Sequence, residues 1–288
     1  MVYVITGATG AVGSLVVEQL IERGQRPRVF VRDRAKAHAR FGESVDIMTG
    51  DLADVETLAP ALCGADALLL VNSGPNLAAQ DGEAATAAQA AGVKHLVKLS
   101  SYDASENVGT GVWHARGEAA IRSSGIAFTF VRPSGFMSNA LFWASTIEDQ
   151  GVVRSCTGDG RIPFIHPRDI AEVTVQALAS RRFHSESLPI AGPEALTYAE
   201  MAARIGKAIG RKIDFESIPE DEVRQKMIKS GDSEPEIEAH LSIYRGIRDG
   251  RLAKVTDTVE RVLGRQPVSF DRWIQENITA FAVPSHVS

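Results

Sequence analysis

Short apolar runs and amphipathic stretches take turns along the chain with a regularity that holds from Val2 to Asn139. The runs Val2–Thr6 (VYVIT), Arg28–Arg32 (RVFVR), Ser44–Met48, Ala67–Val71 (ALLLV), Lys94–Leu99 (KHLVKL) and Ile126–Arg132 have the length and bounding turns of buried strands. Between them, Val12–Arg23, a short segment beyond Asp33, Val55–Leu62, an alanine-rich stretch ending near Ala91 with Gly92 as its stop, and Val112–Ser124 read as helices. Strand and helix in strict alternation predict a parallel, doubly wound α/β sheet.

Beyond residue 140 the order becomes irregular. Helices are expected at Ala140–Asp149, at Pro167–Ala179 with proline at its first turn, and at Tyr198–Ile209; strands are expected at Ile162–Ile165, Ser187–Ile190 and Lys212–Ser217. A helical cluster follows from Pro219 to Phe281, with Gly231–Pro235 as the expected flexible break. This predicts a sheet domain over 1–139 and a mixed region over 140–288 that extends the sheet and adds a smaller, mostly helical C-terminal lobe.

Composition narrows the class. The chain has 288 residues, 44% hydrophobic and 23% charged, which suits a folded globular protein with a sizeable core. A net charge of −5 with scattered basic residues offers no patch for nucleic acid or an anionic membrane. The apolar runs are too short for a membrane span and no targeting segment is evident, so a cytoplasmic protein acting on a small molecule, as monomer or homodimer, is expected. Cys63 and Cys156 are too few for a disulfide framework and lie in no cluster of metal-ligand spacing, so both are expected to be inert and no metal is expected.

The chemistry begins in the first turn. Gly7, Gly10 and Gly13 fall between the first strand and first helix as G-x-x-G-x-x-G, where glycine permits a tight bend and close backbone approach to a pyrophosphate, and the helix N-terminus presents N–H groups to it. Arg32 stands at the end of the second strand, where an acid would select NAD and an arginine accommodates the 2′-phosphate of NADP. Lys36, one turn on, adds a second cation and favours NADP, while Asp33 keeps NAD as the alternative. After the third strand, Asp51 is the expected cofactor contact and Asp54 the expected helix cap. Asn72-Ser73-Gly74-Pro75 and Ser100-Ser101-Tyr102 leave the fourth and fifth strands at the carboxyl edge, where open α/β sheets bind ligands.

With GATGAVG, VRDRAK, GDLAD, LVKLSS and RSSGIAFTFVRPSGFMSN, the chain resembles the NmrA-like family of atypical short-chain dehydrogenases/reductases. The tail EPEIEAHLSIYRGIRDGRLAKVTDTVERVLGRQP is similar to the subgroup of triphenylmethane reductase and a bacterial NADPH quinone oxidoreductase. The resemblance implies a Rossmann fold binding NADPH through Gly7, Thr9, Gly10, Ala11, Val12, Arg32, Lys36 and Asp51, with Asn72, Ser73 and Gly74 beside the nicotinamide ribose. Leu52, Ser100, His114 and Pro133 complete the expected cofactor set.

The resemblance also marks a departure. Counted back from Gly125, the lysine of the Tyr-x-x-x-Lys dyad of short-chain dehydrogenases falls on His114 and its tyrosine on Thr110, whose hydroxyl has no accessible pKa near neutrality. Hydride transfer to a flat, electron-poor acceptor such as a quinone, a dye or an enone is then expected, with orientation as the main catalytic contribution. His114 is expected to hold the ribose or give a proton with a pKa near 6.5, or else to pair with Glu118 one turn along. Tyr102 is a second candidate for a catalytic polar contact. Phe136, Met137, Phe142 and Trp143, with Asn139, are expected to form the acceptor wall. A redox-sensing regulator that binds the dinucleotide and a protein partner is the alternative, and an isomerase using the cofactor transiently a third.

Overall fold

A computed structural model describes residues 1–281. Its first half runs β1 (Tyr3–Thr6), α1 (Gly13–Glu22), β2 (Arg28–Val31), α2 (Arg34–Phe41), β3 (Asp46–Thr49), α3 (Ala59–Leu62), β4 (Ala67–Val71), α4 (Leu77–Ala90), β5 (His95–Leu99), α5 (Asp103–Glu106), α6 (Gly111–Ser124) and β6 (Phe128–Pro133). The second half runs α7 (Ala144–Gln150), β7 (Val152–Ser155), β8 (Arg161–Ile162), α8 (Pro167–Ala179), β9 (Glu186–Ile190), β10 (Leu196–Thr197), α9 (Tyr198–Ile209), β11 (Asp214–Ser217), α10 (Glu220–Ser230), α11 (Glu234–Arg248), α12 (Thr258–Leu263) and α13 (Phe270–Glu276).

Seven strands form one parallel sheet in the order β3-β2-β1-β4-β5-β6-β9. The doubly wound α/β class therefore stands. Alternate side chains feed two cores, as the two-residue period of a strand requires. Ile5, Leu69, Val97 and Val131 pack with Val16, Leu20, Ile170 and Val173 on the α1/α8 face. Val4, Leu68, Leu70 and Phe130 meet Ala84, Ala88 and Ile121 on the α4/α6 face. Because the order reverses between β1 and β4, the turns after these strands part at the carboxyl edge and leave a crevice there.

The chain enters the lobe, returns to add α8 and β9 to the sheet, and then enters the lobe again. The lobe has its own core of Met137, Ile162, Phe164, Tyr198, Met201, Ile205 and Trp273. Local signals fix its helices. Thr197 Oγ1 accepts from Glu200 N at 3.0 Å while Glu200 Oε2 accepts from Thr197 N at 3.0 Å, a reciprocal cap that starts α9. Ser233 and Glu236 repeat the device for α11, so Gly231–Pro235 is a helix-to-helix junction: Gly231, at φ 88°, ends α10 and Ser233 begins α11.

Three local expectations are corrected. The helix expected over Ala140–Asp149 is a 3₁₀ segment, Met137–Trp143, followed by α7, because Met137 and Ala140 are drawn into the lobe core. The strand expected at Ile162–Ile165 shortens to β8, paired antiparallel to β10, and Ile165 forms a single bridge to Phe136. Asp54 stands at the cap position before Val55–Leu58, yet its side chain makes no capping bond; Thr57 Oγ1 donates instead to its carbonyl at 2.6 Å.

Candidate active site

The turn after β1 is shaped for a backbone that comes close to a ligand. Gly7 adopts φ +59°, and a Cβ there would stand 2.9 Å from the Val71 side chain; a Cβ on Gly13 would stand 2.2 Å from the Gly7 carbonyl. Neither position accepts a side chain without moving backbone. No side chain caps α1; the turn closes on its own backbone, with Ser14 N donating to Gly10 O at 3.1 Å and Gly10 N to Gly7 O at 3.0 Å.

A cleft of about 520 Å³ opens there, lined by Thr6, Gly7, Thr9 and Gly10, by Phe30, Val31, Arg32 and Lys36, by Gly50, Asp51 and Leu52, and by Val71, Asn72, Ser73 and Gln80. It brings together nine of the residues expected at the cofactor. Ala11 is exposed on the same turn, Val12 turns its side chain into the core, and Gly74 follows at φ +96° without forming wall. Asp33 Oδ1 accepts from Lys36 N at 2.9 Å, so this acid caps α2. Asp51 Oδ1 accepts from Ala53 N at 3.0 Å and holds the loop after β3.

A second cavity, of about 760 Å³, lies between the sheet edge and the lobe. Ser100, Ser101, Asp103, Thr110, His114 and Pro133 form its sheet side; Phe136, Asn139, Phe142 and Trp143 form one flank. The lobe supplies Ile162, Phe164, Tyr198, Met227, Ser230, Asp232, His240, Ile243, Tyr244 and Ile247. Trp143 and Phe164 lie against Tyr198, with ring centroids 4.9 and 5.9 Å away, while Phe142 is 84% exposed at the mouth. The lining contains no lysine or arginine.

Two expected residues lie elsewhere. Met137, 1% exposed, and Tyr102, 5% exposed, belong to the lobe core and line neither cavity. Met137 is placed by its amide, which donates to Ile165 O and turns the chain inward. Tyr102 follows Ser101, which takes the wall position, and its burial raises the phenol pKa.

Between the two cavities a buried charged pair joins α4 to β5. Lys98 Nζ lies 2.6 Å from Asp81 Oδ2 and both side chains are fully buried. Gly117 makes room, since a Cβ on it would stand 2.3 Å from Asp81 Oδ2. Burial raises the Asp81 pKa against the opposing charge and hydrogen bond of Lys98. Asn72 Nδ2 reaches Gln80 Oε1 at 2.9 Å and Asp81 Oδ1 at 3.5 Å on the cofactor side. On the other side, burial and then the Lys98 charge push the His114 pKa down to about 3, and its buried Nδ1 has no partner.

Two of the expectations for His114, a pKa near 6.5 and a pair with Glu118, are thereby corrected. Burial and Lys98 favour its neutral imidazole, and it does not pair with Glu118. Glu118 is engaged elsewhere: Arg132 donates from Nε at 2.8 Å and from Nη2 at 2.5 Å, and Ser100 Oγ donates at 2.6 Å. Sequence patterning missed Asp81, Lys98, Arg132, Asp103 and the lobe tyrosines. The one available signal was Lys98 in the apolar run KHLVKL, since a lysine inside a buried strand requires a partner.

Among the described residues no cluster of His, Cys, Asp or Glu has the arrangement of a metal site, and no helix is long and apolar enough to cross a membrane. Cys63 and Cys156 are free, the latter buried.

The profile of the NmrA-like family matches residues 2–268. The (4-alkanoyl-5-oxo-2,5-dihydrofuran-3-yl)methyl phosphate reductase of Streptomyces griseus is 38% identical over 281 residues, covering 96% of this chain and 98% of that protein. An NAD(P)H azoreductase of Xenophilus azovorans is 35% identical over 280 residues, with 96% and 98% covered. Among solved structures, an NADPH-dependent quinone oxidoreductase of Escherichia coli complexed with NADPH superposes with a TM-score of 0.87 at 25% identity, covering 96% of this chain and 99% of that one.

Proposed function

The chain belongs to the NmrA-like family and is an NAD(P)H-dependent oxidoreductase, and from that premise we propose that it reduces a flat conjugated acceptor, quinone-like, dye-like or enone, with NADPH. The observation that carries this reading is the pair of adjoining cavities: a glycine-turned polar cleft holding Arg32 and Lys36 beside an aromatic-walled chamber. NADPH supplies the hydride when bound. The turn Gly7–Val12 would hold its pyrophosphate, Arg32 and Lys36 its 2′-phosphate, Asp51 and Leu52 its adenine, and Asn72, Ser73, Ser100, His114 and Pro133 its nicotinamide end. Preference for NADP over NAD rests on Asp33: its carboxylate is occupied as a helix cap, and neither Arg32 nor Lys36 is ion-paired among the described residues.

Catalysis in this reading does not use a Tyr-x-x-x-Lys dyad, and none of the four tyrosines, Tyr3, Tyr102, Tyr198 and Tyr244, is followed by lysine four residues later. The residues instead bind and orient. Trp143, Tyr198 and Phe164 provide faces for a planar acceptor, and burial of its apolar surface supplies the affinity. The absence of lysine and arginine from the lining disfavours an acceptor carrying a phosphate, such as the Streptomyces enzyme's name describes, and favours an uncharged or cationic one.

Steady-state assays with NADPH against quinones, cationic dyes, azo dyes and enones test the reading. Accelerated NADPH consumption with at least one of them is expected. Tight NADPH binding with no turnover on any would overturn it in favour of a redox-sensing protein.

A further inference from the structure

Asp103 is the carboxyl inside the acceptor cavity. It begins α5 three residues beyond Ser100, at the sheet edge where the nicotinamide end is proposed to lie, and it lines the same cavity as His114, Asn139 and Trp143. The second carboxyl, Asp232, and the imidazole of His240 stand on the exposed rim contributed by the α10–α11 junction and α11. Asp103 is partly buried and has no ion pair among the described residues; its amide donates to Ser101 Oγ at 3.3 Å. Gly111, against whose missing Cβ the Asp103 carbonyl would stand at 2.3 Å, and Val108, whose amide donates to that carbonyl at 3.2 Å, fix the backbone beneath it.

Resting on the reductase reading above, we propose that Asp103 is the acid that protonates an uncharged acceptor as it is reduced. A quinone needs one. A proton and two electrons arrive together as hydride and give the hydroquinone anion. The Asp103 O–H bond then breaks, an O–H bond forms on that anion, NADPH has become NADP, and the carboxylate recovers its proton from water. A cationic dye needs no such step, because hydride alone converts it to a neutral product.

The surroundings suit the role. Burial pushes the Asp103 carboxyl up to about 6, the Ser101 hydroxyl opposes this, and Glu106 on the same helix adds to it. The groups on neighbouring elements are His114 on α6, Asp232 before α11, and His240 and Tyr244 on α11, while the Arg251 guanidinium is turned to the Glu106 carbonyl. The other inner groups are less suited to give a proton near neutrality: His114 is neutral, and burial raises both Tyr198 and Tyr244. A general acid acts best with a pKa near the working pH.

The test uses the whole chain with a benzoquinone and a triarylmethyl cation dye, each with NADPH. Asp103→Asn is expected to lower kcat on the quinone about tenfold or more, and far less on the dye. Wild-type kcat on the quinone should fall as pH rises above about 6, the Asn variant should lose that dependence, and Asp103→Glu should recover part of the rate. Independently of activity, carbon-13 NMR of labelled aspartate carboxyls in the cofactor-free protein should show one group titrating near 6 that disappears in Asp103→Asn. Equal losses on both acceptors, or an unchanged quinone rate, would overturn the proposal. A wild-type protein that reduces neither acceptor while binding NADPH would overturn the reductase reading itself.

Discussion

Arg32 and Asp33 are adjacent in sequence and differently engaged. Asp33 gives its carboxylate to the amide of Lys36 at 2.9 Å, while Arg32 lines the cleft with Lys36 beside it. Charge-assisted hydrogen bonds contribute about 1.5–3 kcal/mol each, so Arg32→Ala should weaken NADPH binding roughly 10- to 100-fold. NADH, lacking the 2′-phosphate, should lose little. Calorimetric titration of both cofactors checks this, and equal losses would remove Arg32 from the 2′-phosphate. Much of the first cleft's lining was legible because Gly7, Thr9, Gly10, Arg32, Asp51, Asn72 and Ser73 stand in turns directly after their strands, where spacing along the chain is spacing in space. The acceptor side was not. Tyr198, Asp232 and Tyr244 reach the cavity from segments about a hundred residues beyond the strand they face, and the Asp81–Lys98 contact joins a helix to a strand through a gap that only Gly117 leaves open.

At the scale of elements, that gap lies where α6 packs on α4. Alanine at Gly117 would gain about 1 kcal/mol of helix propensity, but its Cβ would stand 2.3 Å from a carboxylate oxygen held by Lys98. Overpacking of this kind costs roughly 1–3 kcal/mol, and displacing Asp81 would leave Lys98 buried without its partner. Gly117→Ala should therefore lower stability by about 1–3 kcal/mol in urea unfolding; a stabilised variant would mean that α6 shifts freely. The same contrast between local and distant causes governs which elements the patterning found. β4, α8 and α9 have the bounds expected from sequence, because an apolar run, a proline at the first turn and a capping Thr–Glu pair act within a few residues. β7 was missed because its parallel partner β11 lies far along the chain, with Arg154 opposite Glu216, and four residues alone carry no readable period. Ala140–Asp149 is expected as one regular helix, but its first four residues join Met137–Asn139 in a 3₁₀ segment, where Met137 and Ala140 are buried beside an exposed Phe142.

The whole molecule carries its buried imidazoles as an acid-sensitive store. His95 is 4% exposed, with its ring 4.2 Å from that of His184, and its Nε2 lies 2.9 Å from Thr129 Oγ1. The Thr129 hydroxyl donates to Phe183 O at 2.7 Å, so Nε2 must carry the proton in their bond. Burial, then His184, lowers the His95 pKa to about 4, as burial and Lys98 lower that of His114 to about 3. In the unfolded chain both return to about 6.5. As pH falls below that value the unfolded state binds two protons that the native state refuses, so stability decreases, by up to about 1.4 kcal/mol per pH unit for each histidine. Asp103 acts with the opposite sign. Its native carboxyl keeps a proton up to about 6 that the unfolded chain has already released, so between its unfolded value and 6 it stabilises the native state more as pH falls. The raised Asp81 acts in the same direction. Relative to the wild type, urea midpoints between pH 7 and pH 4 should therefore decline less in His95→Gln and His114→Gln and more in Asp103→Asn. A decline unaltered by either histidine variant would show that neither imidazole is held neutral, and the cavity would then contain a cationic His114 able to compete with Asp103 as its proton donor.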